Sequence, residues 1–274
     1  MPGTVRPPLT VAVGGFGAIG RAVARHLDAG IPGLTLTAVS ARDVARATAR
    51  VAGLARPVPV VPLGTLAGVA DVVVECAPAA TLREVAEPAL RAGRTLLVVS
   101  VGALLSALDL VDLARAHGAQ IIVPSGAILG LDAVTAAAEG EIRSVRMITR
   151  KPVQGLEGAP YLEAHGISLR GITEPVRVFA GSAREGARGF PANVNVAAAL
   201  GLAGIGPDRT ELEIWADPGL TRNTHRIEVV AESATFSMAI ENVPSEENPR
   251  TGRITALSVV AALRKLVSPL RVGT

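Results

Sequence analysis

The stretch Gly15-Phe16-Gly17-Ala18-Ile19-Gly20 fits G-x-G-x-x-G. It stands directly after the apolar run Leu9 to Gly14 and directly before a helical pattern with Ile19, Val23 and Leu27 at i, i+4 and i+8. That order reads as strand, tight turn, helix. The first glycine permits the turn, the second lets a pyrophosphate approach the backbone, and the third lets the helix pack closely on the strand. The helix N-terminus then offers oriented N–H groups to an anion. These six residues are the candidate cradle for a dinucleotide, against the alternative of an ordinary turn in a chain rich in Ala and Gly.

The rest of the first half repeats the alternation. Strand-like Val/Ile/Leu runs occur at Leu34 to Ser40, Asp71 to Cys76, Thr95 to Val101 and Gln120 to Val123. Helical patterns separate them at Asp43 to Ala52, at Thr81 to Ala92 with a Thr cap, and at Leu104 to His117. Continuous aliphatic strands between helices indicate a parallel sheet covered on both faces. The expected fold is therefore α/β: a Rossmann-type doubly wound parallel sheet over residues 1–124. Beyond Arg143 strand-like runs follow one another with fewer helices, which predicts a second, α+β substrate and dimerisation domain over residues 125–249. A helical pattern from Asn193 to Gly204 would cover its sheet. The last helix, about Gly252 to Leu266, is apolar around most of its circumference, which predicts burial, with residues 250–274 returning to the first domain.

Composition excludes several functions. Of 274 residues 49% are hydrophobic but only 2% aromatic, too few for the stacking platforms of single-stranded nucleic-acid binders. A net charge of +3 without a basic run also argues against a nucleic-acid partner. The longest stretch free of charge, Gly189 to Pro207, carries Pro191, Asn193 and Asn195, which argues against a membrane span. Cys76 is the single cysteine, so no internal disulfide forms, and Met1 to Thr10 lacks the apolar core of a secretory signal. The expected location is the cytoplasm.

The ribose end of the candidate site departs from the NAD pattern. An Asp or Glu is expected about 20 residues on, where it would hold the 2′-hydroxyl. Here the second strand ends Ser40-Ala41-Arg42. A small residue followed by Arg removes repulsion toward a 2′-phosphate and offers it a bidentate cation, so the expected coenzyme is NADP or NAD, with Asp43 keeping NAD open. The alternative for Arg42 is a solvated first-turn residue.

Four histidines are present, at 26, 117, 165 and 225. His26 and His117 read as structural, and His165 falls in a Gly-rich loop. His225 precedes Ile227 and Val229 on the same face of a strand, so it points inward. It reads either as a hydrogen-bonded core histidine or as a neutral imidazole serving as general base. No metal site is expected, because there is no H-x-x-x-H or C-x-x-C spacing. Cys76, at the end of a parallel strand, reads as packing rather than as a nucleophile.

Several separated motifs together resemble the aspartate dehydrogenase family. They are the glycine turn, Val74-Glu75-Cys76-Ala77, Pro124-Ser125-Gly126-Ala127-Ile128, the run from Phe190 to Ala197, Ala216-Asp217-Pro218, Arg222-Asn223-Thr224-His225, and the run from Glu241 to Pro249. The resemblance spans almost the whole chain. It implies oxidation of L-aspartate to iminoaspartate or oxaloacetate with NAD or NADP, a step that feeds NAD biosynthesis in some organisms. Apart from the resemblance, a homodimer or other homo-oligomer is expected, formed through the second domain. By motif, the family's active-site histidine falls on His225 and its cofactor-contacting residues on Ala127 and Asn195. Arg150, Lys151 and Arg222 are the motif-adjacent cations for the two substrate carboxylates. Leu129-Gly130 stands where the family often has Gly-Gly, and Ser40-Ala41-Arg42 departs from strict NAD use. The alternatives are a related two-domain enzyme, such as a homoserine dehydrogenase or dihydrodipicolinate reductase-like oxidoreductase, and a non-catalytic NAD(P)-binding sensor.

Overall fold

The computed structural model describes residues 7–191, 194–248 and 251–273. Met1 to Arg6 of the stretch Met1 to Thr10, the motif residues Ala192, Asn193 and Pro249, and the expected helix start at Asn193 lie outside them. The chain divides into two compact units, one of Met1–Ser100, Ala107–Pro124 and Ala256–Arg271, the other of Val101–Ser106, Ser125–Thr255 and Val272–Thr274.

The first half of the chain runs β1 (Leu9–Gly14), α1 (Ala18–Asp28), β2 (Leu34–Ser40), α2 (Val44–Val51), β3 (Val72–Glu75), α3 (Leu82–Arg91), β4 (Thr95–Val98), α4 (Val101–Leu104), α5 (Asp109–Ala116) and β5 (Gln120–Ile122). Its five strands form one parallel sheet in the order β2-β1-β3-β4-β5. Val11, Ala12 and Val13 are all inaccessible, as are Val73 and Val74 with Val72 nearly so, which means that both faces of the sheet are covered. Each of these valines contributes about 1.5–3 kcal/mol on leaving water. The strand order reverses between β1 and β3, and an open sheet of this kind takes its ligand outside the carboxyl ends of the strands at that switch point.

The second half runs α6 (Leu131–Ala138), β6 (Ile142–Lys151), α7 (Pro160–Ala164), β7 (Val176–Ser182), α8 (Ala183–Gly189), α9 (Asn195–Ala203), β8 (Thr210–Ala216), β9 (Thr224–Ala231), β10 (Thr235–Glu241) and α10 (Arg253–Val267). The sheet order is β10-β9-β6-β8-β7, with β6 and β8 parallel and the other pairs antiparallel. One face is apolar. Val145 and Met147 of β6, Leu212 and Ile214 of β8 and Ile227 and Val229 of β9 pack with Val134 of α6 and Ala197 and Leu200 of α9.

Several expectations need correction. The helix expected at Leu104 to His117 is two helices, because Val101–Ser106 is held within the second unit. There the Gly102 N–H donates to Asn195 Oδ1 at 2.9 Å, and Arg184 Nη1 donates to the Leu105 carbonyl at 2.9 Å. Thr81 precedes α3 but does not cap it with its side chain; its hydroxyl donates to the Pro78 carbonyl at 2.8 Å instead. Helix α10 is not buried all round. Val259 and Leu263 pack with Val23 and Leu27 in the first unit, whereas Ile254 is 40% and Leu257 50% exposed. Of this terminal region, the first unit takes only Ala256–Arg271.

Candidate active site

The glycine turn has the geometry its spacing requires. Gly15 has a φ of +104°, and a Cβ there would lie 2.4 Å from the Cys76 carbonyl oxygen; a Cβ on Gly20 would lie 1.9 Å from the Gly15 oxygen. Both are forced by the protein's own packing. A Cβ on Gly17 would meet nothing within 4 Å, so that side of the turn is open. Gly17 also caps α1 without a side-chain bond, and the first turn of α1 has no acidic residue. An open glycine at an uncapped helix N-terminus fits a pyrophosphate. Ala18 and Ile19 are half-buried, and the Phe16 side chain belongs to the core of this unit, which leaves Phe16 only its backbone to offer a ligand.

Glu75, at the end of β3, secures the neighbouring loops. It is inaccessible, and its Oε1 accepts from Ala77 N at 3.1 Å and Ser100 Oγ at 2.9 Å, while Oε2 accepts from Val99 N at 3.2 Å and Ser100 N at 2.9 Å. Burial raises its pKa, and the four donors oppose that shift. The clamp steadies the Cys76-Ala77 backbone against which Gly15 packs. Burial, then the Glu75 charge, pushes the Cys76 thiol up, and its Sγ lies 3.3 Å from the Gly15 carbonyl, as a packing residue would.

In the second unit, β6 and β9 bring three polar residues onto the apolar face of the sheet. His225 pairs in register with Thr149, its Nδ1 is hydrogen-bonded to Thr149 Oγ1 at 3.1 Å, and only 3% of the residue is exposed. Lys151, two residues beyond Thr149 and on the same face, is 4% exposed. Burial, then the Lys151 charge, lowers the His225 pKa to about 3; burial lowers that of Lys151 to about 8. At neutral pH the imidazole is therefore uncharged and the amine is charged.

The other expected site residues are distributed differently. Arg150 is on the opposite face of β6, 5.3 Å above the Trp215 ring centroid and 3.5 Å from Asp217 Oδ2. Arg222 pairs with Glu241 at 3.8 Å. Neither joins His225, whereas Lys151 does. Asn195 opens α9 and holds Gly102 through Oδ1. The Ala127 carbonyl accepts from Asn242 Nδ2 at 3.1 Å, and Asn242 N donates to the Asn223 carbonyl at 2.8 Å, tying the Ala127 loop to the entry of β9. Arg42 is exposed, two residues past β2. His26 Nδ1 is bonded to the Ala22 carbonyl at 2.8 Å, and His117 caps the end of α5. His165 lies exposed in the turn after α7, as expected of a loop residue, and stacks on Tyr161 with centroids 3.9 Å apart. Among the described residues no group of three or more His, Cys, Asp or Glu could hold a metal ion, and no helix is long and apolar enough to cross a membrane.

Sequence reasoning missed Thr149, although a signal existed: Val145, Met147, Thr149 and Lys151 share one phase of β6, and the two polar members interrupt an apolar series. Thr149→Val should lower kcat roughly tenfold by releasing the imidazole, an effect of the size of one neutral hydrogen bond. A second expectation concerns acid. His225 has a folded pKa of about 3 against 6.5 unfolded, so the unfolded state binds the extra proton between those values and stability falls as pH drops through that window. In urea titrations from pH 6 to 4, wild type should lose about 1.4 kcal/mol per pH unit more than His225→Asn.

A family model described as aspartate dehydrogenase, C-terminal, matches residues 132–266, and one described as homoserine dehydrogenase, NAD binding domain, matches residues 15–124. An L-aspartate dehydrogenase of Bradyrhizobium diazoefficiens is 58% identical over 271 residues, covering 99% of this chain and 96% of that protein. L-aspartate dehydrogenase 3 of Bordetella bronchiseptica is 58% identical over 270 residues, covering 98% and 99%. The crystal structure of an aspartate dehydrogenase from Thermotoga maritima superposes with a TM-score of 0.72 at 24% identity, covering 97% of this chain and 99% of that one, which is a likeness of fold.

Proposed function

The chain belongs to the aspartate dehydrogenase family, and from that premise we propose that it oxidises L-aspartate at Cα with NAD or NADP, giving iminoaspartate and then oxaloacetate and ammonia, or runs the same reaction in reverse. The observation that carries the reading is the uncharged, buried His225 held by Thr149 beside the Lys151 ammonium. The glycine turn matches an NAD-binding model and would hold the coenzyme pyrophosphate. Bound there, the nicotinamide supplies the acceptor for the hydride that leaves Cα.

The remaining work falls to side chains. As the Cα–H bond breaks and its electron pair departs, a C=N bond forms and the substrate nitrogen must shed a proton. With Nδ1–H donating to Thr149 Oγ1, His225 Nε2 has its lone pair free to take that proton, or the one released when water attacks the imine. Lys151 is the cation we assign to a substrate carboxylate, since burial makes each contact it forms worth more than one at the surface. Asn195 and Ala127 would hold the nicotinamide carboxamide through the Asn195 amide and the Ala127 backbone. The single cysteine, which can form no internal disulfide, favours the cytoplasm, and the second domain is the expected surface of a homo-oligomer.

The test is the absorbance of reduced nicotinamide with L-aspartate and either coenzyme, run beside L-glutamate, L-alanine and L-homoserine. Aspartate should give the dominant rate. A rate with L-homoserine and none with aspartate would return the chain to the homoserine dehydrogenase alternative suggested by its first half. Coenzyme binding without turnover of any substrate would favour a sensor.

A further inference from the structure

Resting on that reading, we infer that the chain selects the 2′-phosphorylated coenzyme, NADP, and that Arg42 is the residue that reads the phosphate. The end of β2 lies beside the phosphate turn, since Gly15 N donates to the Ser40 carbonyl at 3.0 Å and Gly14 pairs in register with Ser40. This is where an NAD-specific site places its acid. Ser40 is uncharged and 2% exposed, so it neither repels a phosphate nor presents a carboxylate to a ribose.

The nearest acid, Asp43, is committed elsewhere. It caps α2, its Oδ1 accepting from Arg46 N at 3.0 Å, which turns that carboxylate oxygen toward the helix backbone. Arg42 and Arg46 flank it, both exposed, and among the described residues neither guanidinium has a carboxylate partner. A phosphate dianion matches the bidentate fork of Arg42, with Arg46 adding charge one turn along. A ribose hydroxyl pair has no such claim on two cations.

Equilibrium binding of NADPH and NADH, followed by nicotinamide fluorescence at low ionic strength, reads this without turnover. NADPH should bind about tenfold or more tightly than NADH, and the gap should narrow as salt is raised. Arg42→Ala should weaken NADPH about tenfold beyond its effect on NADH, and Arg42→Lys should recover part of the loss, because a point charge lacks the fork. Asp43→Asn keeps an N-cap, so NADH should bind it as it binds wild type. Equal affinity for the two coenzymes, an NADPH preference that survives Arg42→Ala, or loss of NADH affinity in Asp43→Asn would overturn the inference. Failure of both coenzymes to bind is a different result, which overturns the dinucleotide reading of the glycine turn and this inference with it.

Discussion

Replacing His225 with Asn should lower kcat/KM for aspartate oxidation by about 10²–10⁴, the span expected when a general base is removed. The substitution is chosen for its geometry. The Asn amide superposes on the Nδ1 side of the ring, so the partnership with Thr149 Oγ1 survives while Nε2 disappears. Because the histidine is uncharged at neutral pH, its loss strips no buried charge from a partner. Folding should therefore be kept and chemistry lost. A kcat/KM within about threefold of wild type would mean that His225 is a core histidine and that the base is elsewhere.

Lys151→Met should lower kcat/KM for aspartate about 100-fold, because it removes the cation assigned to a substrate carboxylate. Burial lowers the amine pKa from 10.5 to about 8, so between those values the unfolded state binds the extra proton and stability rises with pH. Methionine nearly keeps the stem volume and carries no proton, so the variant should lose that rise in urea titrations from about pH 8 to 10. A lysine that served only the fold would leave kcat/KM and KM for aspartate unchanged.

How much of the fold and site is legible in the sequence follows the range of the interactions involved. The glycine turn is local: strand, turn and helix occupy adjacent residues, and their spacing carries the chemistry. His225 was also legible, because period-two alternation with Ile227 and Val229 sets its face. Its partner was not, since Thr149 meets His225 only through the register of β6 with β9, 76 residues apart. The three candidate cations were indistinguishable by motif position alone, because the face each takes depends on how far β6 runs. The strand runs to Lys151, which puts Lys151 on the histidine's face and Arg150 on the other. The break between α4 and α5 was likewise invisible locally, because it is produced by Asn195 and Arg184, far along the chain. On α10, apolar content alone could not show that Ile254 and Leu257 stay exposed while Val259, Val260 and Leu263 join the core of the first unit.

If the Cα–H bond of aspartate is the one broken and its electron pair passes to the coenzyme, L-aspartate carrying deuterium at Cα will label the reduced coenzyme, which can be isolated and read by NMR. One deuterium should appear at C4 of the reduced nicotinamide, on a single face. Reduced coenzyme without deuterium, or no reduced coenzyme from aspartate at all, would contradict it.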